Sequence, residues 1–257
     1  MSLSVDLATR RSTRRHQCNG FRMQTDTRLL KAASASAIIF AIVLALAVLS
    51  RFHTPDPRTL DQSVAISSNV IFRLRNWLQF LSFFFVLIAF WGIAIKKLEV
   101  SRALVGLGFV FATLFVFLEL FTRSIDLFVT STLVETYAAT TSDVVKTALT
   151  LDFDLLNRAT FAIYFPLLAT HMFGSACFAL AALGGNRLEK TLSIFFFLNA
   201  LRLVLRLMQL YGNQRWLAGV NRWTYVVLIL LFVAIGVWLR DGDGSQSNLN
   251  AIGKTRV

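Results

Sequence analysis

Six apolar stretches constrain this chain more than any other feature: residues 32–49, 77–95, 103–121, 160–183, 192–211 and 223–239. A helix rises about 1.5 Å per residue, so roughly 20 residues cross the ~30 Å hydrocarbon core of a bilayer. The composition agrees, with 56% hydrophobic residues, 24 Phe, 16% charged residues and a mean hydropathy of +0.62 over 257 residues. The expected fold class is all-α: a polytopic membrane protein, a six-helix transmembrane bundle with amphipathic extracytoplasmic helices. A net charge of +12 would suggest nucleic acid in a soluble protein. Here the Lys and Arg residues flank apolar stretches, so the expected surroundings are membrane lipid and no nucleic acid is expected as a partner. Cys18 and Cys177 are too far apart in the expected topology to form a disulfide framework.

Residues 1–31 carry Arg10, Arg11, Arg14, Arg15, Arg22, Arg28 and Lys31 without a hydrophobic period, and are expected to form a basic, disordered cytoplasmic leader. Arg10-Arg11 lacks the apolar follow-on of a twin-arginine signal, and Met23 is an alternative start. The first apolar stretch is longer than a usual signal-peptide core of about 7–15 residues. Its Ala33, Ala37, Ala41 and Ala45 form a small-residue ladder suited to close helix contact, which favours a retained span. Thr59 and Gln62 then fit a capping box, with Leu60, Val64, Ile71 and Leu74 at helical spacing, so 59–76 is expected to be an amphipathic helix.

Lys96 and Lys97 close the second span, and Gly108 and Ala112 offer a small-residue contact on the third. Apolar residues continue beyond Thr122, so the third helix is expected to project from the membrane. Thr140 and Asp143 suggest a second capping box, followed by Val144, Ala148, Leu151 and Leu155 on one face. The segment 123–159 is acidic and forms the largest extramembrane element. Pro166 falls near the start of the fourth span, where a missing amide is tolerated. Gly184-Gly185-Asn186 ends that span, Gly212 ends the fifth, and 241–257 is a polar tail.

Six spans put both termini on one side, and that side carries fifteen Lys plus Arg against nine opposite. Both termini are therefore expected in the cytoplasm. Trp77, Trp91, Trp216, Trp223 and Trp238 all lie close to span ends, as an aromatic belt requires.

Within the fifth span Asn199, Arg202, Arg206, Gln209 and Asn213 recur every three or four residues, a single polar stripe. An arginine at mid-membrane costs at least about 2.5 kcal/mol, so both arginines should face the interior and find partners. Measured along the helices, Glu119 reaches a height close to that of Arg206, and His171 one close to that of Arg202. The expected arrangement pairs Glu119 with Arg206 and leaves Arg202 to Asn199, backbone carbonyls or a neutral His171. One acid against two cations leaves a positive surplus, which calls for an anionic ligand, a lipid headgroup or a water-filled cleft. Arg202, Arg206, Glu119, Asn199, His171 and Gln209 are the candidate ligand-binding residues. Three alternatives stand beside this one: a purely structural ion pair, an interfacial fifth helix, and an assembly protein that docks a protein partner through its extracytoplasmic helices.

His171 is expected as a packed, hydrogen-bonded histidine, because no second histidine lies in a span to complete a haem site. HExxH, GxSxG and Walker sequences are absent. No cofactor, metal or catalytic residue is assigned, and enzymatic activity is the weakest expectation.

The order of elements resembles an uncharacterised bacterial family of six-span inner-membrane proteins, grouped as a domain of unknown function. The likeness rests on a short amphipathic helix after the first span, a long extracytoplasmic insertion after the third, Leu-Leu-Ala-Thr-His-Met-Phe-Gly-Ser over 167–175 and a charged turn into the fifth span. It covers residues 30–240. The two arginines of the fifth span depart from it. It implies an inner-membrane architecture and no activity.

Overall fold

The computed structural model describes residues 3–57, 59–98, 101–212, 214 and 225–241, with side chains from Thr27 onward. Every regular element among them is helical: α1 (Leu3–His53), α2 (Leu60–Ser67), α3 (Val70–Lys97), α4 (Arg102–Ser124), a π-helical turn (Ile125–Thr130), α5 (Ser131–Ala139), α6 (Asp143–Ala182), α7 (Arg187–Tyr211) and α8 (Tyr225–Arg240). Five helices are long and apolar enough to cross a membrane: Thr27–His53, Val70–Lys97, Arg102–Ala139, Asp143–Ala182 and Arg187–Tyr211. The sixth apolar stretch is the 16-residue α8, about 24 Å long. Asn213, Trp216 and Trp223, the first residues of the stretch at 223–239, and the tail from Gly242 lie outside the described residues.

The long helices form a ring in which α1 touches α3, α3 touches α4, α4 touches α6, α6 touches α7, α7 touches α8 and α8 returns to α1. Lipid tails are as apolar as leucine, so close packing has to hold such a ring. Small residues make that possible. The alanine ladder of α1 faces inward, with Ala33, Ala37 and Ala41 fully covered. A Cβ on Gly92 of α3 would collide with the Ala33 methyl, and one on Gly236 of α8 would lie 2.6 Å from Ile38. Ser34 Oγ donates to the Gly236 carbonyl at 2.7 Å, which locks the α1–α8 contact. The expected small-residue face of Gly108 and Ala112 meets Gly174 of α6. Phenylalanines fill the centre: Phe90 stacks on Phe178 at 5.6 Å, Phe178 meets Phe196 at 5.4 Å, and Phe232 lies 4.4 Å from Phe40.

The helix boundaries correct several expectations. The backbone is helical from Leu3, so α1 takes in residues 3–31 of the segment expected as disordered and carries the apolar stretch in its C-terminal half. Thr59 caps α2 as expected, accepting from the Gln62 amide at 3.3 Å. The segment 59–76 breaks at Ser68, however, because Asn69 accepts from the amides of Ile71 and Phe72 and starts α3 there. The N-cap of α6 is Ser142 and not Thr140, whose hydroxyl instead accepts from the Ser142 amide. Helix α6 then runs unbroken for 40 residues with Pro166 inside it. That is about 60 Å, twice a bilayer core. Helix α7 begins at Arg187 because Asn186 and Glu189 form a complete capping box.

The end of α6 remote from the ring's lysines joins α2 and α5 in a small cap, where Leu60, Val134 and Phe153 are buried together and Tyr137 Oη donates to Asp61 Oδ1 at 2.8 Å. The expected apolar face of Val144, Ala148, Leu151 and Leu155 is turned outward, with Val144, Leu151 and Leu155 at 80%, 65% and 68% exposure.

Gly92→Leu is expected to push α1 from α3 and lower the melting temperature in detergent by roughly 3–10 °C. Gly106, where an added Cβ would have no neighbour within 4 Å, supplies the control: Gly106→Leu should stay within about 2 °C of wild type.

Candidate functional site

The helices carry their charges at two levels. At one, Lys97 Nζ lies 2.7 Å from Glu189 Oε1 with both side chains largely covered. Glu189 Oε2 also accepts from the Asn186 amide in the capping box, so one carboxylate caps α7 and holds α3. Lys96 donates to the Trp238 carbonyl and sits 4.1 Å from the centre of the Trp238 ring, tying α3 to α8. This lysine end has its inward-facing lysines partnered and its packing closed. Its cavity, lined by Lys97, Phe178, Phe196 and Trp238, measures about 10 Å³, at most one water.

The other level is rich in arginine. Arg75 follows the chain into α3 with its guanidinium buried, Nη1 donating to the Thr54 carbonyl and Nη2 to Asp56 Oδ1, each at 2.7 Å. Arg51, at the end of α1, lies 3.4 Å from the other oxygen of Asp56. Its Nη1 donates to Tyr225 Oη at 3.5 Å, and the Tyr225 ring lies 5.8 Å from the Arg51 guanidinium carbon and 5.9 Å from that of Arg202. Arg123 of α4 lies 3.6 Å from Glu119 and 3.8 Å from Asp126. Asp126 belongs to the π-helical turn, whose wider winding is frequent at functional sites.

Glu119 therefore pairs with Arg123, one turn along its own helix, and the expected Glu119–Arg206 pair is absent among the described residues. Matching by depth ignored adjacency: α6 stands between α4 and α7 in the ring, whereas Arg123 is four residues away. Arg206 Nη1 donates instead to Gln209 Oε1 at 2.6 Å. Depth also changes. Counted from Glu189 at the lysine end, Arg202 lies about 20 Å and Arg206 about 26 Å along α7, so the arginines occupy the far half and not the middle.

From Arg202 a polar wedge descends into the bundle. Arg202 Nε donates to Asn199 Oδ1 at 3.0 Å. That fixes the amide, whose Nδ2 donates to Ser175 Oγ at 2.9 Å and faces His171 Nε2 at 3.1 Å. A ring nitrogen opposite an N–H donor must be an acceptor, so His171 is neutral with its proton on Nδ1. Asn199, His171 and Ser175 are all buried, and His171 stacks on Phe115 at 4.0 Å. The expectation of a packed, hydrogen-bonded His171 near Arg202 is met through Asn199. Among the described residues no group of three His, Cys, Asp or Glu could hold a metal ion.

Comparison with protein-family models, curated proteins and solved structures finds no match.

The structure thus joins His171, Asn199 and Arg202 in one network, sets Arg206 on Gln209, and turns Glu119 to Arg123. Sequence reasoning missed Arg51, Arg75, Arg123, Asp56, Asp126 and Tyr225, which look like ordinary span flanks. At this end Arg51, Arg75, Arg123, Arg202 and Arg206 interact with Asp56, Glu119, Asp126 and one another. All three carboxylates are taken by Arg51, Arg75 and Arg123. Arg202 and Arg206 donate only to neutral oxygens among the described residues, and Glu119 attracts Arg202 from beyond ion-pair distance.

Asn199→Leu should destabilise the protein by about 1–3 kcal/mol by stranding Arg202 Nε, His171 and Ser175. Adding His171→Phe should then cost less than it does alone, with a coupling of at least about 0.5 kcal/mol in a double-mutant cycle by chemical or thermal unfolding; additive costs would show that the network is not a unit.

Proposed function

We propose that this chain is a multi-pass inner-membrane protein of six spans that binds an anion at its arginine end. In this reading α8 completes the sixth span, the lysine end and both termini face the cytoplasm, and the arginine end and the cap of α2, α5 and the start of α6 lie outside. The single observation that carries the binding is the charge balance: among the described residues Arg202 and Arg206 have no carboxylate within ion-pair distance, Glu119 reaching Arg202 only at longer range, and an incompletely compensated cation at the edge of the low-dielectric core is costly. An anion of the surroundings would remove that cost. The excess of basic residues on the terminal side supports the orientation. So does the six-span family layout that the sequence resembles.

The expected outcome is that, at constant ionic strength, at least one of chloride, formate, sulfate and inorganic phosphate raises the melting temperature of the purified protein by about 2–5 °C at tenfold its dissociation constant. Arg202→Gln/Arg206→Gln should not respond to that anion; an equal response would place the anion elsewhere. Accessibility labelling of tags at both termini should report the cytoplasm, and an external C-terminus would overturn the six-span topology.

A second reading is favoured by the outward Val144, Leu151 and Leu155, an apolar face on the part of α6 beyond the ring: docking of a protein partner on the cap. Leu151→Asp/Leu155→Asp should then shift a crosslinked native complex to the size of the free chain while leaving the melting temperature of the purified protein within about 2 °C of wild type.

A further inference from the structure

We infer that the anion is a phosphoryl group, held by the guanidinium forks of Arg202 and Arg206 with the Tyr225 hydroxyl at the headgroup level of the outer leaflet. This rests on the anion-binding reading above and adds the chemistry of the ligand.

Donor geometry is the first ground. Arg202 uses only Nε, for Asn199, and Arg206 only Nη1, for Gln209, among the described residues. Among the described residues no further acceptor meets either nitrogen of the Arg202 fork, or Nε and Nη2 of Arg206. The two side chains leave α7 four residues apart, one above the other on the same face, about 6 Å along the axis. Tyr225 Oη accepts from Arg51, so its own proton remains to be donated. Two forks and a hydroxyl need an acceptor with three or more oxygens arranged in space. A carboxylate satisfies one fork and a halide offers one centre, whereas a phosphoryl group presents tetrahedral oxygens that guanidinium forks match in pairs.

The second ground is independent of the first. Among the described residues, four of the five buried side-chain polar atoms without a hydrogen bond belong to this end: Arg51 Nε, Arg123 Nε and Glu119 Oε2, which meet a partner only in loose ion pairs of 3.4 and 3.6 Å, and Arg75 Nε, which has neither. Buried polar atoms are normally satisfied, so unsatisfied atoms gathered at one end mark a place where further polar matter fits. Of the three nitrogens, Arg75 Nε calls for an acceptor, since Arg51 Nε and Arg123 Nε already face Asp56 and Glu119.

Depth is the third. Lys97 follows Arg75 by 22 residues on α3, about 33 Å, so the two charge levels match the two faces of a bilayer core of about 30 Å. Arg206 at about 26 Å reaches the far headgroups by extending its side chain. Arg202 and Arg206 are both half-buried, bordering Leu201, Val204 and Met208 on the outer face of α7. Lipid can therefore come alongside the forks. A phospholipid headgroup and a free phosphate ester share this chemistry.

The test titrates the purified full-length protein with inorganic phosphate, with dihexanoyl phosphatidylglycerol below its micellar concentration, and with formate and chloride as non-phosphoryl anions, following the melting temperature and intrinsic tryptophan fluorescence. The expected result is that at least one phosphoryl probe binds tenfold or more tightly than formate or chloride. That preference should be lost in Arg206→Lys, which keeps the charge and removes the fork, and kept in Arg158→Gln, an exposed basic residue of the cap. Tighter binding of the lipid than of phosphate assigns a headgroup as the source, and the reverse assigns a soluble phosphate ester. Formate or chloride binding as tightly as both phosphoryl probes, with a response lost in Arg202→Gln/Arg206→Gln, overturns the phosphoryl assignment and leaves the anion site standing. No response to any of the four probes overturns both.

Discussion

Charge cannot be left in hydrocarbon, and the whole arrangement follows from where these helices put theirs. On α1 Lys31 and Arg51 are 20 residues apart, on α3 Arg75 and Lys97 are 22, on α4 Arg102 and Arg123 are 21, and on α7 Arg187 and Arg206 are 19. Each interval is about 28–33 Å of helix, one bilayer core. Helices that alternate in direction therefore stack their basic ends into two levels. Between the levels the faces are free to be apolar, and small residues such as Ala33, Gly92, Gly174 and Gly236 let the backbones close on one another.

The two levels are resolved differently. At the lysine end Lys97 has Glu189 and Lys96 has the Trp238 carbonyl and ring, so cations there hold three helices together. At the arginine end the pairing of Arg51 and Arg75 with Asp56, and of Arg123 with Glu119 and Asp126, occupies the acids. Arg202 also determines the interior: by drawing Oδ1 of Asn199 to itself it turns the amide's Nδ2 toward Ser175 and His171. The α6–α7 register is thus written by a residue whose charge has no carboxylate within ion-pair distance among the described residues. A neutral residue at 202 would leave Asn199 free to flip.

Apolar run length made the helical class legible, because hydropathy is summed over many residues and tolerates local error. The same was true of the Thr59 cap and of the Gly108–Ala112 contact, both short-range patterns. Boundaries inside polar connections were not legible. Gly184-Gly185-Asn186 reads as a stop, and it is one, but Asn186 is also the first residue of the next cap, which moves the start of α7 back to Arg187 and lowers the lysine end by several residues. Pro166 suggested a helix start, yet a proline costs one amide, and a helix packed against α4 and α7 on either side absorbs that loss. Within the site, the three-residue spacing of Asn199 and Arg202 and the shared depth of His171 were sufficient to place the wedge. The partner of Glu119 was not, since depth alone says nothing of which helices are neighbours. Arg51, Arg75 and Arg123 carried a usable signal in their equal spacing from the lysine end, hidden because flanking arginines are common.

The polarity of the bundle is one-sided, and this limits what it can do with a ligand. The wedge enters at Arg206 and Arg202, passes Asn199, and stops at His171 and Ser175. Below it Phe90, Phe178, Phe196 and Phe232 pack ring against ring, and beyond them the Lys97–Glu189 pair bridges α3 and α7. An anion crossing the protein would have to part four aromatic rings, shed its oxygens' hydrogen bonds in a layer of apolar side chains, and then break a covered ion pair. An anion resting at the arginine end would need none of this. If the proposed anion binds, this packing suits holding it at the arginine end and opposes passing it through.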